Sequence, residues 1–326
     1  MEKRESAKDI PKTKGRKGLW YSLTRQSTYW VMLIPATLFF LAFCYLPMTG
    51  VYMAFTRYDY SLGIFKSPFV GWDNFKFLVG SGTKAGFWGS AIWTLTWKTV
   101  LYNIAFIGLG HLFQVTTAII LKELPSKRFR KVSQTLMFLP YFISMVIVGV
   151  IAYNLFGSNG TMNTLIQWLG HDKVMFYQEA GYWPWIIIAF NVWKGLGYGT
   201  VVYFATLAGI DDSYYEAAAI DGAGLMQRIR YITLPMLKPT IIILVLFSLG
   251  GILKGQFELF YQLVGNNNLL FATTDIIDTY VYRMLTVSNN FGNGSAMGFY
   301  QSVFGLVTVL IVNGIVKKVE PGYELF

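Results

Sequence analysis

Six apolar runs alternate with polar connectors along the chain, at residues 30–55, 99–121, 132–156, 183–207, 240–264 and 296–316. Each holds about 20 residues or more, enough for a helix rising 1.5 Å per residue to cross a hydrocarbon core of roughly 30 Å. The pattern predicts an all-α integral membrane protein with six transmembrane helices. The connectors at 57–98, 157–182 and 265–295 are too short for a second soluble domain. The expected organisation is therefore a tail at 1–28 and a membrane domain at 29–320.

The fourth and fifth runs are separated by a polar, small-residue island at 213–235, SYYEAAAIDGAGLMQRIRYITLP. Ser213 followed three residues later by Glu216 has the form of a capping box. Ala217, Ala218 and Ala219 are strong helix formers. Gly222 supplies the positive φ at which helices end. A second short helix fits 225–232, with Pro235 and Pro239 marking entry to the fifth run. Local rules thus predict two short helices bent at a glycine on a membrane surface, a compact knob suited to docking another protein.

Composition agrees with a membrane protein. Of 326 residues 54% are hydrophobic and only 13% charged, about half the charged fraction of a soluble domain; mean hydropathy is +0.44. The net charge of +10 is unevenly placed. Lys and Arg collect in residues 1–28, just after the second run (Lys122, Lys127, Arg128, Arg130, Lys131), in and just after the island (Arg228, Arg230, Lys238) and at Lys317 and Lys318. By the positive-inside rule both termini and the island are cytoplasmic, and the basic tail lies on the membrane surface rather than on nucleic acid. Cys44 is the sole cysteine and there are two histidines, so no intrachain disulfide forms and a zinc site is not expected. The outer connectors are aromatic: Trp72, Phe75, Phe77, Trp93, Trp97, Tyr182, Trp183 and Trp185 read as interfacial belt residues.

Polar groups inside the runs mark the candidate chemistry, since a charge at mid-membrane costs about 2.5–3.5 kcal/mol on insertion scales. Lys194 sits in the fourth run and Lys254 in the fifth, with Glu258 four residues on and able to pair with Lys254 on a helical face. Two readings stand. The lysines are structural, held by carboxylates or helix carbonyls; or Asn191, Trp193, Lys194, Lys254, Gln256, Glu258 and Tyr261 line a translocation cavity, with aromatic faces and amides suited to a sugar. Gly195, Gly197, Gly199, Gly250, Gly251 and Gly255 permit close helix packing or local unwinding. Asn103, His111 and Gln114 in the second run read as interhelical hydrogen-bond partners.

The island carries a resemblance. Glu216-Ala217-Ala218, Ile220-Asp221-Gly222-Ala223 and Ile232-Thr233-Leu234-Pro235 resemble the EAA motif of type I ABC importer permeases, with Ile229 where that family often has Phe. Trp193-Lys194 ahead of Leu207-Ala208-Gly209-Ile210, Phe69-Val70-Gly71-Trp72-Asp73-Asn74-Phe75, and Leu33-Ile34-Pro35-Ala36 with Tyr45-Leu46-Pro47-Met48 are similar to the carbohydrate-uptake branch and its LplB-like subgroup. The resemblance implies a MetI-like permease fold in the bacterial cell membrane. It implies that the loop at 211–235 seats in a cytoplasmic ATPase, through Tyr215, Glu216, Ala217, Ala218, Asp221, Gly222, Ala223, Ile229, Leu234 and Pro235. It further implies a second permease subunit in a heterodimer, two ABC ATPase subunits that bind ATP and Mg, an extracellular solute-binding lipoprotein, and an oligosaccharide substrate that is acidic in some members.

The competing classes explain less. The chain contains no Gly-Lys dipeptide and so no phosphate loop of the Gly-Lys-[Ser/Thr] kind; no cofactor is expected in this chain, and ATP hydrolysis is assigned to a separate subunit. A secondary transporter or channel accounts for six spans but leaves the EAA loop without a purpose. A membrane enzyme lacks a convergent catalytic set. The expected function is the membrane half-path of an ATP-driven saccharide importer.

Overall fold

The computed structural model describes residues 27–76 and 90–319; the expected basic tail lies almost wholly outside them, as does Phe77. Residues up to Tyr52 and from Met53 onward form two compact units.

In the first unit, helix α1 (Ser27–Phe40) runs into a π turn at Leu41–Tyr45 and then the larger part of a 3₁₀ stretch, Leu46–Phe55, whose last three residues belong to the second unit. The widening has a local cause. Pro47 brings no N–H, and its ring crowds the carbonyl one turn back; a π turn, closed by Leu46 N–H on Leu41 O, opens the helix just before it.

The second unit holds the rest. Helix α2 (Ala91–Glu123) is longer than expected, because Ser90 caps it by accepting from Trp93 N–H well before the apolar run begins. The third run is not one helix. It divides into α3 (Lys127–Phe142) and α4 (Met145–Phe156), and the membrane-length segment is Met145–Trp168, which includes the short helix α5 (Thr161–Trp168). The break falls where Pro140 weakens the end of α3 and Ser144 caps α4 through Ile147 N–H. Helix α6 (Trp183–Ala208) is the fourth span as expected. It packs along α2 and α3; a Cβ at Gly197 would collide with the Met137 carbonyl, so this glycine serves close approach.

Beyond α6 come α7 (Ser213–Ile220) and α8 (Leu225–Arg228), then a π turn at Ile229–Thr233 and α9 (Leu234–Leu249). The widening again directly precedes a Leu-Pro-Met sequence, Leu234-Pro235-Met236, as it does at Leu46-Pro47-Met48. The fifth run is also divided. Residues 250–256 are not helical, and α10 (Phe257–Val264) follows. Helix α11 (Ile277–Thr286) and the sixth span, α12 (Phe291–Val319), complete the chain. Among the described residues six helical segments are long and apolar enough to cross a membrane, and no strand longer than the isolated bridge Thr56–Phe69 is formed.

The main core joins α2, α4, α6 and α10 through Tyr102, Phe106, Val148, Ile187, Phe260 and Leu263. Trp183 belongs to it. Expected in the interfacial belt, it is fully buried and donates its indole N–H to Phe176 O at 2.7 Å, whereas Trp72, Trp97 and Trp185 are exposed. The aromatic connector folds as a clip: Asn74 Nδ2 donates to Ala54 O and Thr56 O at 3.0 and 2.8 Å, while Phe55, Trp72 and Phe75 cluster around it.

Candidate coupling loop and translocation cavity

The loop at 211–235 folds as a knob built onto a lever. The expected Ser213–Glu216 capping box does not form. Asp211 instead accepts Ser213 N–H at 2.9 Å in a turn that leads into α7. The hydrogen bonds from the Ser213 backbone and hydroxyl hold the Asp211 carboxyl below its ordinary range. Gly222, at φ +80°, ends α7 as expected, with Ala223 N–H on Ala218 O at 2.8 Å. The second helix does not stop at 232. Through the π turn it continues into α9, giving one helical run, Leu225–Leu249. Pro235 sits in the first turn of α9, where a missing N–H costs little, so nothing separates the loop from the fifth span.

Of the expected docking residues, Glu216, Ala217, Asp221, Gly222, Leu234 and Pro235 are exposed, and Ala218, Ala223 and Ile229 are half-buried. Tyr215 is buried and turned inward. Its hydroxyl shares a 3.1 Å hydrogen bond with Thr233 Oγ1. Lys122 lies 5.2 Å from its ring centroid and pairs with Asp212 at 3.0 Å, tying the knob to the end of α2. The most exposed apolar groups on the knob are Ile220, at 86%, and Met226, at 72%. Neither stood among the expected contacts. The signal for them was present, since each is a large apolar side chain flanking the polar and small Asp221–Gly224 bend, where no core awaits it.

The expected cavity residues separate into groups. Asn191, Lys254 and Gln256 meet in a cavity of about 390 Å³ that Asn103, His111, Gln114 and Ser248 also line. Asn191 Nδ2 donates to Gln256 Oε1 at 2.6 Å. His111 bridges helices, 2.9 Å from the Tyr203 hydroxyl and 3.3 Å from Ser248. Gln114 donates to Gly195 O at 3.3 Å. Trp193 instead lines a separate apolar cavity with Ile151, Leu155 and Phe190. Tyr261 stacks on Phe257 and meets Tyr282.

Lys194 points away from that cavity. Its ammonium donates to Pro140 O, Tyr141 O and Ile143 O, closing the C-terminal end of α3. A cation here satisfies carbonyls that the helix cannot and complements its dipole. The expected Lys254–Glu258 pair is not made. Residues four apart face each other only on a helix, and Lys254 lies in the non-helical 250–256 stretch while Glu258 opens α10, exposed.

That stretch is the structural centre of the site. Peptide groups outside a helix cost several kcal/mol each in a membrane unless paired, and here they are paired from three sides. Asn103 Nδ2 on α2 donates to Ile252 O and Lys254 O at 2.9 and 3.2 Å. Gln301 Nε2 on α12 donates to Leu253 O at 2.6 Å. Asp278 on α11 accepts Gly255 N–H at 2.6 Å and the Gln301 amide at 3.0 Å. Burial pushes the Asp278 carboxyl up, while the Gly255 N–H, the Gln301 amide and the Lys254 charge pull it the other way. A second cavity of about 520 Å³ opens here, lined by Lys254, Gly255, Asp278, Gln301 and Ser302.

The chain is similar to known membrane transport proteins. Residues 114–324 match the family described as binding-protein-dependent transport system inner membrane component. Protein LplB of Bacillus subtilis (strain 168) is 34% identical over 323 residues, covering 98% of each chain. The polygalacturonan/rhamnogalacturonan transport system permease protein YteP of the same organism is 31% identical, over 95% of this chain and 94% of its own length. Among solved structures, a bacterial alginate ABC transporter in complex with an alginate pentasaccharide-bound periplasmic protein matches with a TM-score of 0.81 at 32% identity, covering 93% of this chain and 98% of the other. The chain belongs to the family of binding-protein-dependent transport system inner membrane components, as a multi-pass ABC transporter permease of the bacterial plasma membrane.

Proposed function

We propose that this permease imports an oligosaccharide and forms one half of the path across the membrane, its partner being a second permease chain. The observation that carries the reading is mechanical. One helical run, Leu225–Leu249, joins the exposed loop to the interrupted backbone at 250–256, and that interruption borders the polar cavity. A push on the loop is delivered along α9 to the place where a solute would pass. Non-helical backbone lining a polar cavity, with amides and a cation near it, is the usual form of a transporter substrate site. Asn191, Gln256 and Lys254 suit hydroxyl-rich or anionic sugar rings, and relatives named for polygalacturonan, rhamnogalacturonan and alginate support that class.

On this reading two ATPase subunits supply ATP hydrolysis, with ATP and Mg bound by them, and receive the loop through Ile220, Met226 and the exposed Glu216–Gly222 segment. Both termini and the loop face the cytoplasm, where 18 of the 27 Lys and Arg residues collect. An extracellular binding protein delivers the saccharide. The test is uptake by the reconstituted complex. Glu216→Lys or Gly222→Asp is expected to abolish ATP-driven uptake while the ATPase still hydrolyses ATP and the chain still inserts. For Gly222 the reason is plain: a β-carbon at φ +80° strains the turn that shapes the knob. Wild-type uptake in both variants, or uptake driven by an ion gradient without ATP, would overturn the reading.

A further inference from the structure

The non-helical stretch at 250–256 lies between the two polar cavities, and Lys254 and Gly255 line both. Among the described residues lining the 390 Å³ cavity, Lys254 alone carries a fixed charge. The 520 Å³ cavity adds one carboxylate, Asp278. Asp278 is placed with care. Its Oδ2 takes the Gly255 N–H and the Gln301 amide together. A side chain at Gly255 would collide with Asp278 and Ile276, so the glycine is what lets the carboxylate come this close. The peptide next to Lys254 is therefore pinned by the same carboxylate that contributes the opposing charge.

We propose that Asp278 is a positioning and specificity-setting residue of the transport path: it fixes the backbone that presents Lys254 to both cavities, and its charge limits how strongly Lys254 favours anionic saccharides. The inference rests on the oligosaccharide reading above. With Asp278 in place the pair is neutral overall, and the cavities accept neutral and acidic sugar residues on similar terms. Without that carboxylate Lys254 stands uncompensated and attracts a uronate more strongly.

The test uses the full complex in liposomes, with its partner permease, ATPase subunits and binding protein. Uptake is measured for a uronic-acid trisaccharide and for the same trisaccharide with its carboxyls reduced to alcohols. Each variant is compared with wild type on the same sugar, so the binding protein's own preference cancels. Asp278→Asn keeps the shape and an acceptor for Gly255 N–H. It is expected to raise the acidic-to-neutral uptake ratio about three- to tenfold at subsaturating sugar, the size of a unit charge acting through a wet cavity. Lys254→Met, which leaves the Asp278 charge uncompensated, is expected to lower the ratio by a similar factor, and the double variant, with neither charge, to return close to the wild-type ratio. An unchanged ratio in Asp278→Asn, with both sugars affected alike, would overturn the proposal and leave Asp278 a purely structural staple. A double variant that behaves like Asp278→Asn alone would overturn it too. Should Asp278→Asn fail to assemble, Lys254→Met decides: an unchanged ratio there removes the charge the proposal depends on. A wild-type complex that imports neither trisaccharide nor any other saccharide would overturn the function itself, and the proposal with it.

Discussion

Lys194 and Lys254 look alike in the sequence, each a lone cation inside an apolar run, and the structure gives them opposite tasks. Lys194 spends its three donors on the carbonyls of Pro140, Tyr141 and Ile143. Lys254 is exposed between two cavities. The difference follows from what each helix lacks nearby. The break between α3 and α4 frees a set of C-terminal carbonyls beside Lys194. At 250–256 the equivalent carbonyls are already taken by Asn103 and Gln301, so Lys254 is left to the cavity. Lys194→Met should therefore lower the thermal unfolding midpoint, through a loss of about 1–3 kcal/mol for carbonyls left unpaired, without changing the relative uptake of acidic and neutral sugars. A shift in that sugar preference would place Lys194 in the path after all. No residue-level rule could have separated the two lysines, because the deciding groups are 50 or more residues away: Ile143 for Lys194 and Asn103 for Lys254.

At the scale of elements, hydropathy gives the number of spans and places the first, second, fourth and sixth well, since burial in lipid acts on the whole run and averages over its details. The third and fifth membrane-length segments are Met145–Trp168 and Leu225–Leu249, not 132–156 and 240–264. α6 and α12 match their apolar runs closely, and α1 with its π and 3₁₀ extension fills the first. The third and fifth runs are where the averaging hides structure. A seven-residue gap in a helix leaves mean hydropathy nearly unchanged, yet it creates the site. The local markers are there in Pro140, Ser144, Gly250, Gly251 and Gly255, but each is compatible with an unbroken helix and only tertiary pairing of the freed peptide groups decides. Gly255→Ala should separate the roles of these glycines. Its β-carbon would meet Ile276 and Asp278, whereas at Gly251 the nearest atom is Ser248 O at an ordinary 3.6 Å. Gly255→Ala is expected to depress uptake at least tenfold, at the order of 1.4 kcal/mol or more, with Gly251→Ala near wild type. Equal effects at both positions would mean that the glycines act through backbone freedom and not through the Asp278 contact. The EAA loop shows the converse case. Its motif was legible residue by residue, but its continuity with α9 was not, because a Leu-Pro pair reads as a boundary until the π turn before it is seen.

For the whole molecule, direction is what turns a path into an importer, and it depends on which side the knob occupies. On the proposed reading, residues 211–235 would lie in the cytoplasm and the 57–76 clip outside, as the charge distribution predicts. Lys122 and Asp212 add a reason for the loop to stay where charge is favourable, since this pair ties it to the end of α2, just before the basic start of α3 with Lys127, Arg128, Arg130 and Lys131. Cys44 is the sole cysteine, exposed in an apolar segment, so a Cys44→Ala background offers a clean reporter. Ser61→Cys and Ser213→Cys lie on exposed residues of the two connectors. In intact cells a membrane-impermeant maleimide is expected to label the cysteine of Ser61→Cys, and to reach that of Ser213→Cys only after the membrane is opened. The reverse pattern would put the knob on the outside, beyond reach of any cytoplasmic ATPase, and the lever of Leu225–Leu249 would then have nothing to drive it.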